Sequence, residues 1–273
     1  MRSSARGLGV VALLACAACA KPLMKLPTGP GSPATDAGQA LGDATSACRN
    51  VSTITAEIAA SGSVAGQRFR ARLSAGLASP ASARLEAAAP FGAPMFILVA
   101  TGDDATLLLP HDGRVLEHGR PDAVLEAIAG IPLNAADLRA ALVGCPAMPD
   151  AAAAKQLEAD WRMVPDGRNE VYLHRVPQSP SPPVPNTWRV VAIVFRTPQN
   201  EWRAEYRDFE NGLPRTVRFV STGSDRFDLR LGLSQVDVNT QLGPEVFRVQ
   251  VPRDADPITL DELKRARPGV RKN

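Results

Sequence analysis

Polar and apolar residues alternate with period two along most of this chain, the pattern of strands that bury one face. From Thr53 to Val64, the residues Ile54, Ala56, Ile58, Ala60, Gly62 and Val64 fall on one side, with Thr53, Thr55, Glu57, Ser61 and Ser63 on the other. From Gln67 to Leu77, Phe69, Ala71, Leu73, Ala75 and Leu77 alternate with Arg68, Arg70, Arg72 and Ser74, and Ala65-Gly66 supplies a hairpin turn between the two segments. Ser82 to Ala88 alternates about Leu85 and breaks at Pro90-Phe91-Gly92-Ala93-Pro94. Met95 to Ala100, including Ile97, and Thr106 to Leu109, including Leu107, are apolar on both faces, which predicts strands covered on two sides. The period then changes. Asp122 to Ala129 places Val124, Leu125 and Ile128 on one helical stripe that ends at Gly130, and Asn134 caps a second helix with Leu138, Ala141 and Leu142 inward, ending at Gly144. This helical hairpin, 121–144, is the expected cover of the doubly apolar strands.

Strands resume in Trp161 to Val164, Val171 to Val176, Trp188 to Arg196, Glu201 to Phe209, Arg215 to Ser221 and Arg226 to Val238; in the last, Phe227, Leu229, Leu231 and Leu233 alternate with Arg226, Asp228 and Arg230. Residues 177–186 carry Pro177, Pro180, Pro182, Pro183 and Pro185 and read as an extended surface loop, a spacer in preference to a PxxP partner motif. Thr259 and Glu262 form a capping box that opens a short C-terminal helix, and Lys264, Arg265, Arg267, Arg271 and Lys272 make a solvated basic tail in preference to a headgroup contact. The fold class that follows is mainly β with a helical insert.

The N-terminus determines the compartment. Arg2 and Arg6 precede an apolar run from Leu8 to Ala15, too short for a bilayer span and shaped as a secretory signal peptide, 1–15. Leu13-Leu14-Ala15 before Cys16 is the pattern of a lipoprotein signal, so Cys16 is the expected acylated residue, with Cys19 as the alternative. Cys16-Ala17-Ala18-Cys19 is formally a C-x-x-C but lies in the processed segment, away from any redox or zinc context. Residues 16–35 are Pro-, Gly-, Ser- and Thr-rich and read as a flexible tether. A short helix within 36–49 opens the folded domain, 36–252, and 253–273 form the C-terminal helix and tail.

The formal charge of +3 falls to +1 without Arg2 and Arg6, which argues against nucleic-acid binding, where a concentrated basic surface is needed. Export places Cys48 and Cys145 where disulfides persist; inside the chain they can pair only with each other, two buried free thiols being the alternative. His111, His118 and His174 lie in separate segments without ligand spacing, and there is no Walker loop, dinucleotide fingerprint or nucleophile elbow. No cofactor and no metal is expected, and the weight moves from an enzyme toward a binding or transfer protein.

The order of motifs resembles the LolA/LolB-like lipoprotein carriers. Gly62 stands in an early strand, the charged alternating strand Phe69 to Leu77 follows, and Pro90-Phe91-Gly92 takes the place of a Pro-Leu-Gly turn. Ile128-Ala129-Gly130-Ile131-Pro132 then leads to Leu138-Arg139 and Gly144-Cys145-Pro146, with Trp202-Arg203-Ala204-Glu205-Tyr206 and Leu213-Pro214 in the expected order. The proline-rich loop, the C-terminal helix and Ser234-Gln235, where the family often has a tryptophan, are departures. The resemblance implies an incomplete antiparallel β-barrel closed by helices over a cavity for acyl chains. It makes Ile58, Phe69, Leu73, Leu85, Ile97, Leu107, Leu125, Ile128, Leu138, Leu142, Leu229 and Leu231 the candidate lining, and Phe91 an exposed tip that pushes clients into the bilayer, with an inward Phe91 packed as ordinary core the alternative. It further implies a monomeric outer-membrane acceptor, anchored by its acyl groups, that receives acylated lipoproteins from a periplasmic LolA-like carrier. A carrier or sensor of another lipid or glycolipid, and a structural envelope lipoprotein with a filled interior, are the alternatives.

Overall fold

The computed structural model describes residues 22–89, 92–176, 179–180, 183–184, 187–196, 200–221 and 227–266. The alternating segments form β1 (Thr53–Val64), β2 (Gln67–Ala78), β3 (Ser82–Ala87), β4 (Phe96–Thr101), β5 (Asp104–Leu109) and β6 (Arg114–Gly119) before the helices. After them come β7 (Lys155–Glu158), β8 (Trp161–Asp166), β9 (Asn169–Val176), β10 (Thr187–Arg196), β11 (Glu201–Glu210), β12 (Leu213–Ser221) and β13 (Phe227–Val238). Each neighbour in sequence pairs antiparallel with the next, giving two meanders, β1–β6 and β7–β13. The pairing of β13 with β1, with Leu231 opposite Ala60 and Arg230 opposite Ser61, joins them into one 15-stranded sheet. One end carries the short strand Ser32–Pro33 and the other Asp256–Pro257, the latter parallel to β6, and these ends do not pair with each other. The sheet is therefore large and open.

Local chemistry accounts for the turns and bends. Ala65 and Gly66 both take positive φ, 49° and 78°, which closes the β1–β2 hairpin without splaying its strands. At Gly62 φ is +147°, and a Cβ there would lie 1.8 Å from the Asp228 carbonyl oxygen, so only glycine lets β13 approach this closely.

Helices α2 (Pro121–Ala129) and α3 (Ala135–Val143) form the hairpin. Pro121 at the start of α2 has no N–H to leave unpaired, Gly130 and Gly144 end the helices in the left-handed conformation, and Asn134 Oδ1 accepts the Asp137 N–H at 2.9 Å. The apolar stripes turn onto the sheet: Val124, Leu142 and Ala141 are buried in one core with Ile54, Leu77, Leu98, Val217 and Phe219. Helix α4 (Leu260–Ala266) packs against α2 with Leu263 fully buried, opened by the reciprocal Thr259–Glu262 hydrogen bonds. The C-terminal helix is thus part of the domain's core. The doubly apolar β4 and β5 are covered on one face by α2, and residues Pro244–Phe247 lie over β3 and β4. The disulfide Cys48–Cys145, Cα–Cα 5.7 Å, ties the chain after α1 (Ala37–Thr45) to the end of α3.

One expectation is corrected. The N-terminal segment is bound to the sheet from its first described residues. Met24 and Leu26 pack with Tyr172, Val191, Ala192 and Val194 in a second apolar cluster on the face away from the helices, bordered by Leu157, Trp161 and Met163. The Met24 N–H donates to Glu205 Oε1 at 2.8 Å, and the Arg207 guanidinium donates to the Pro22 carbonyl. Ser32–Pro33 then pairs with β7. The physical reason lies in β10: Val190-Val191-Ala192-Ile193-Val194 is apolar without alternation, so its outer face needs cover, and the segment read as a free tether supplies it.

Candidate functional site

Between the hairpin and the inner face of the sheet lies a cavity of about 80 Å³. Its sheet wall is built from alternate residues of successive strands: Ile58 and Ala60 of β1, Leu73 of β2, Leu85 of β3, Phe96 of β4, Phe219 of β12, and Leu229 and Leu231 of β13. Register makes this wall continuous, because Ile58 faces Leu73 and Leu233 while Ala60 faces Ala71 and Leu231. The roof is Leu125, Ile128 and Ala129 of α2, Ile131 and Leu133 of the connecting loop, and Leu138 and Leu142 of α3. Among the described residues no titratable side chain reaches the wall. At one end Trp202 backs Phe219 edge-on at 5.8 Å and stacks on Phe195 at 4.0 Å, giving a rigid aromatic buttress.

Nine of the twelve proposed lining residues, Ile58, Leu73, Leu85, Leu125, Ile128, Leu138, Leu142, Leu229 and Leu231, stand on this wall. Ile97 does not: it pairs opposite Glu86 and so belongs to the outer face, while its neighbour Phe96 points inward. Leu107 is fully buried in β5, and it packs in the core without reaching the cavity. Both misplacements come from the doubly apolar segments, where alternation gives no sign of which side faces in. The Phe69 side chain, Pro90, Phe91, Cys16 and Cys19 lie outside the described residues; Gly92 is described, with φ +82°. Ala60 and Phe219 were missed although both sit on the inward register of alternating strands. Ile131 and Leu133, both buried, were missed as loop residues, although two large aliphatic side chains flanking Pro132 in a short interhelical loop would have been the signal.

Polar groups frame the site from behind. Arg139 of α3 donates to the Val51 carbonyl at 2.7 Å, holding that helix to the chain leading into β1. Burial pushes the Asp137 carboxyl up, opposed by the hydrogen bond it accepts from the Asn134 backbone N–H. Tyr206 is fully buried against Gly144, its hydroxyl without a hydrogen-bond partner among the described residues, and burial drives its pKa far up, so it stays neutral. Among the described residues no three His, Cys, Asp or Glu side chains converge as a metal site would require, and no helix is long and apolar enough to cross a membrane.

No family profile matches the chain, and no curated protein does. Among solved structures, a LolA superfamily protein from Nitrosomonas europaea is similar, with 11% identity, 78% of this chain and 97% of that chain covered, and a TM-score of 0.53. A DUF1329 family protein from Desulfovibrio piger aligns over 80% of this chain and 98% of its own at 10% identity and a TM-score of 0.44. The lipoprotein LppX of Mycobacterium tuberculosis aligns over 76% and 98% at 9% identity and a TM-score of 0.32. At 11% identity what is shared with the LolA superfamily protein is architecture: this chain has a large open β-sheet with few helices, as that protein does.

Proposed function

We propose that this protein binds acyl chains between its sheet and the α2–α3 hairpin. On this reading it is a lipid-anchored acceptor on the periplasmic face of the outer membrane, taking acylated lipoproteins from a LolA-like carrier and inserting them into that membrane. The observation that carries the reading is the cavity itself, walled entirely by aliphatic and aromatic side chains. Such a wall has no means of orienting a polar group, but it accepts hydrocarbon at about 0.8 kcal/mol per buried methylene. It also holds no nucleophile and no acid or base, which supports transfer without chemistry on the client.

The present volume sets a requirement. A dry apolar cavity of about 150 Å³ admits one benzene molecule, so about 80 Å³ is too small for an acyl chain and the wall must move. The sheet is held by its ladders, and the end of α3 is held by Cys48–Cys145 and Arg139. The movable part is α2 with the Ile131-Pro132-Leu133 loop, whose contacts to the sheet are apolar packing.

Mass spectrometry of the protein purified from its own envelope tests the reading. Acylated peptide or lipoprotein at one per chain is the expected result, a glycolipid would point to a carrier of that lipid, and failure of the stripped protein to take up any fluorescent fatty acid would refute acyl binding. By the resemblance above, Phe91→Glu abolishes release into vesicles while leaving client binding nearly intact. Cys16→Ser gives a protein free in the periplasm, whereas continued membrane fractionation with labelling at Cys19 moves the anchor to that residue.

A further inference from the structure

The face of the sheet away from the helices carries a strip of arginines that the acyl-binding site does not use. Arg68, Arg70 and Arg72 of β2 and Arg230 of β13 are all exposed, and none forms an ion pair among the described residues. Register brings them together. Arg70 and Arg230 lie on opposite sides of Ser61 in β1, two strand spacings or about 10 Å apart, with Arg68 beside Ser63 and Arg72 beside Ala59. Alongside the four arginines the strand between them presents Ala59, Ser61 and Ser63, so the guanidinium groups project over a floor of small side chains; its next outward residue, Glu57, lies past the end of the strip, opposite Ser74. Asp228, two residues before Arg230 on β13, is already held by Arg218 at 2.6 Å and 2.8 Å. On β11 of the same face, by contrast, Arg203 and Arg207 close on the buried Glu205.

The bound N-terminal segment puts the same face near a membrane. If the chain is acylated at Cys16 or Cys19, six or three residues separate the anchor from Pro22, a reach of at most about 20 Å or about 10 Å. Pro22 and Met24 are fixed on β11, four strand spacings, about 19 Å, from β2. A tether this short, fastened to the outer face, cannot let the domain turn that face away from the bilayer.

We propose that the strip of Arg68, Arg70, Arg72 and Arg230 seats the anchored domain on anionic lipid headgroups, with the hairpin-covered cavity facing away from or across the membrane plane. The orientation rests on the acylation reading; the contact of the arginines with headgroups does not. Guanidinium groups suit this partner because they pair with phosphate in a bidentate fork.

The test uses the unacylated mature chain (Cys16→Ser, Cys19→Ser) and sedimentation with vesicles of phosphatidylcholine alone or with added phosphatidylglycerol. Binding is expected only to the anionic vesicles, weakening as salt rises, and falling about fivefold for each arginine replaced by serine at positions 68, 70, 72 and 230. Fatty-acid uptake, measured on the same samples, should not change, because these side chains lie on the opposite face from the cavity; this separates failure of the seating from failure of the acyl site. No preference for anionic vesicles, or unchanged binding in Arg68→Ser/Arg70→Ser/Arg72→Ser/Arg230→Ser, overturns the proposal and leaves the strip as a solvated face. Arg203→Ser serves as a control for general charge loss, and an equal drop in that variant also overturns it.

Discussion

Ala60→Leu separates the stability of the closed cavity from its capacity. Ala60 is buried at the centre of the sheet wall, between Leu231 on β13 and Ala71 on β2, with its methyl group on the cavity. Leucine adds three carbons. Burying them is worth about 2.4 kcal/mol at about 0.8 kcal/mol per carbon. Filling about 80 Å³ recovers about 1.9 kcal/mol at about 24 cal/mol per Å³. The two routes agree near 2 kcal/mol, an upper figure that any overpacking reduces. For a domain of this size that is a rise in Tm of about 4–8 °C. The same gain belongs to the closed state only, because an acyl chain and the new side chain compete for one space. Shifting the equilibrium toward closure by about 2 kcal/mol weakens apparent acyl affinity about 30-fold. Thermal melts and displacement of a fluorescent fatty acid measure the two quantities on one preparation. Ala59→Leu, the exposed neighbour on the outer face, should change neither. A raised Tm with unchanged affinity would mean that hydrocarbon is bound elsewhere and would refute the reasoning.

Three further outcomes follow from particular contacts. Cys48→Ser/Cys145→Ser opens a loop with a sequence separation of 97; the chain-entropy model puts the loss at about 4.7 kcal/mol, and the urea midpoint should fall accordingly while an unchanged midpoint would show that the bridge does not constrain the unfolded chain. Gly62→Ala forces a Cβ into the Asp228 carbonyl at 1.8 Å, so it should destabilise by more than about 2 kcal/mol, read as a drop in urea midpoint, with a neutral result excluding the close approach of β13. The hydrogen bond from the Arg162 guanidinium, aided by its charge, holds the Asp36 carboxyl below its usual range. A depressed carboxylate pKa contributes stability that is full above the unfolded value near 3.8 and is lost as pH falls through the folded value. Asp36→Asn should therefore flatten the acid limb of stability below about pH 4, and an acid limb identical to that of the parent would remove this ion pair from the account.

The period-two pattern alone located the strands around the helical insert, because a half-buried strand must alternate and a helix lying on a sheet must show a stripe. Asn134, Gly130, Gly144 and the Thr259–Glu262 box placed helix ends by local hydrogen bonding, which needs no tertiary information. Nine cavity residues were legible because they occupy alternating strands or a helical stripe, where one register has only one buried side. Where alternation fails, the sequence carries no sign: Ile97 and Phe96 are both apolar neighbours, and only pairing with Glu86 and Ala87 in β3 decides which turns inward. The N-terminal segment was misread for the same reason, since its composition is that of a tether and its fixed position comes from β10 and Glu205, more than 160 residues away. The strip of Arg68, Arg70, Arg72 and Arg230 likewise existed in the sequence as two unrelated charged strands. Its assembly required β13 to pair with β1, a long-range choice made by the burial of Phe227, Leu229, Leu231 and Leu233 against the helices and not by any local preference of the chain.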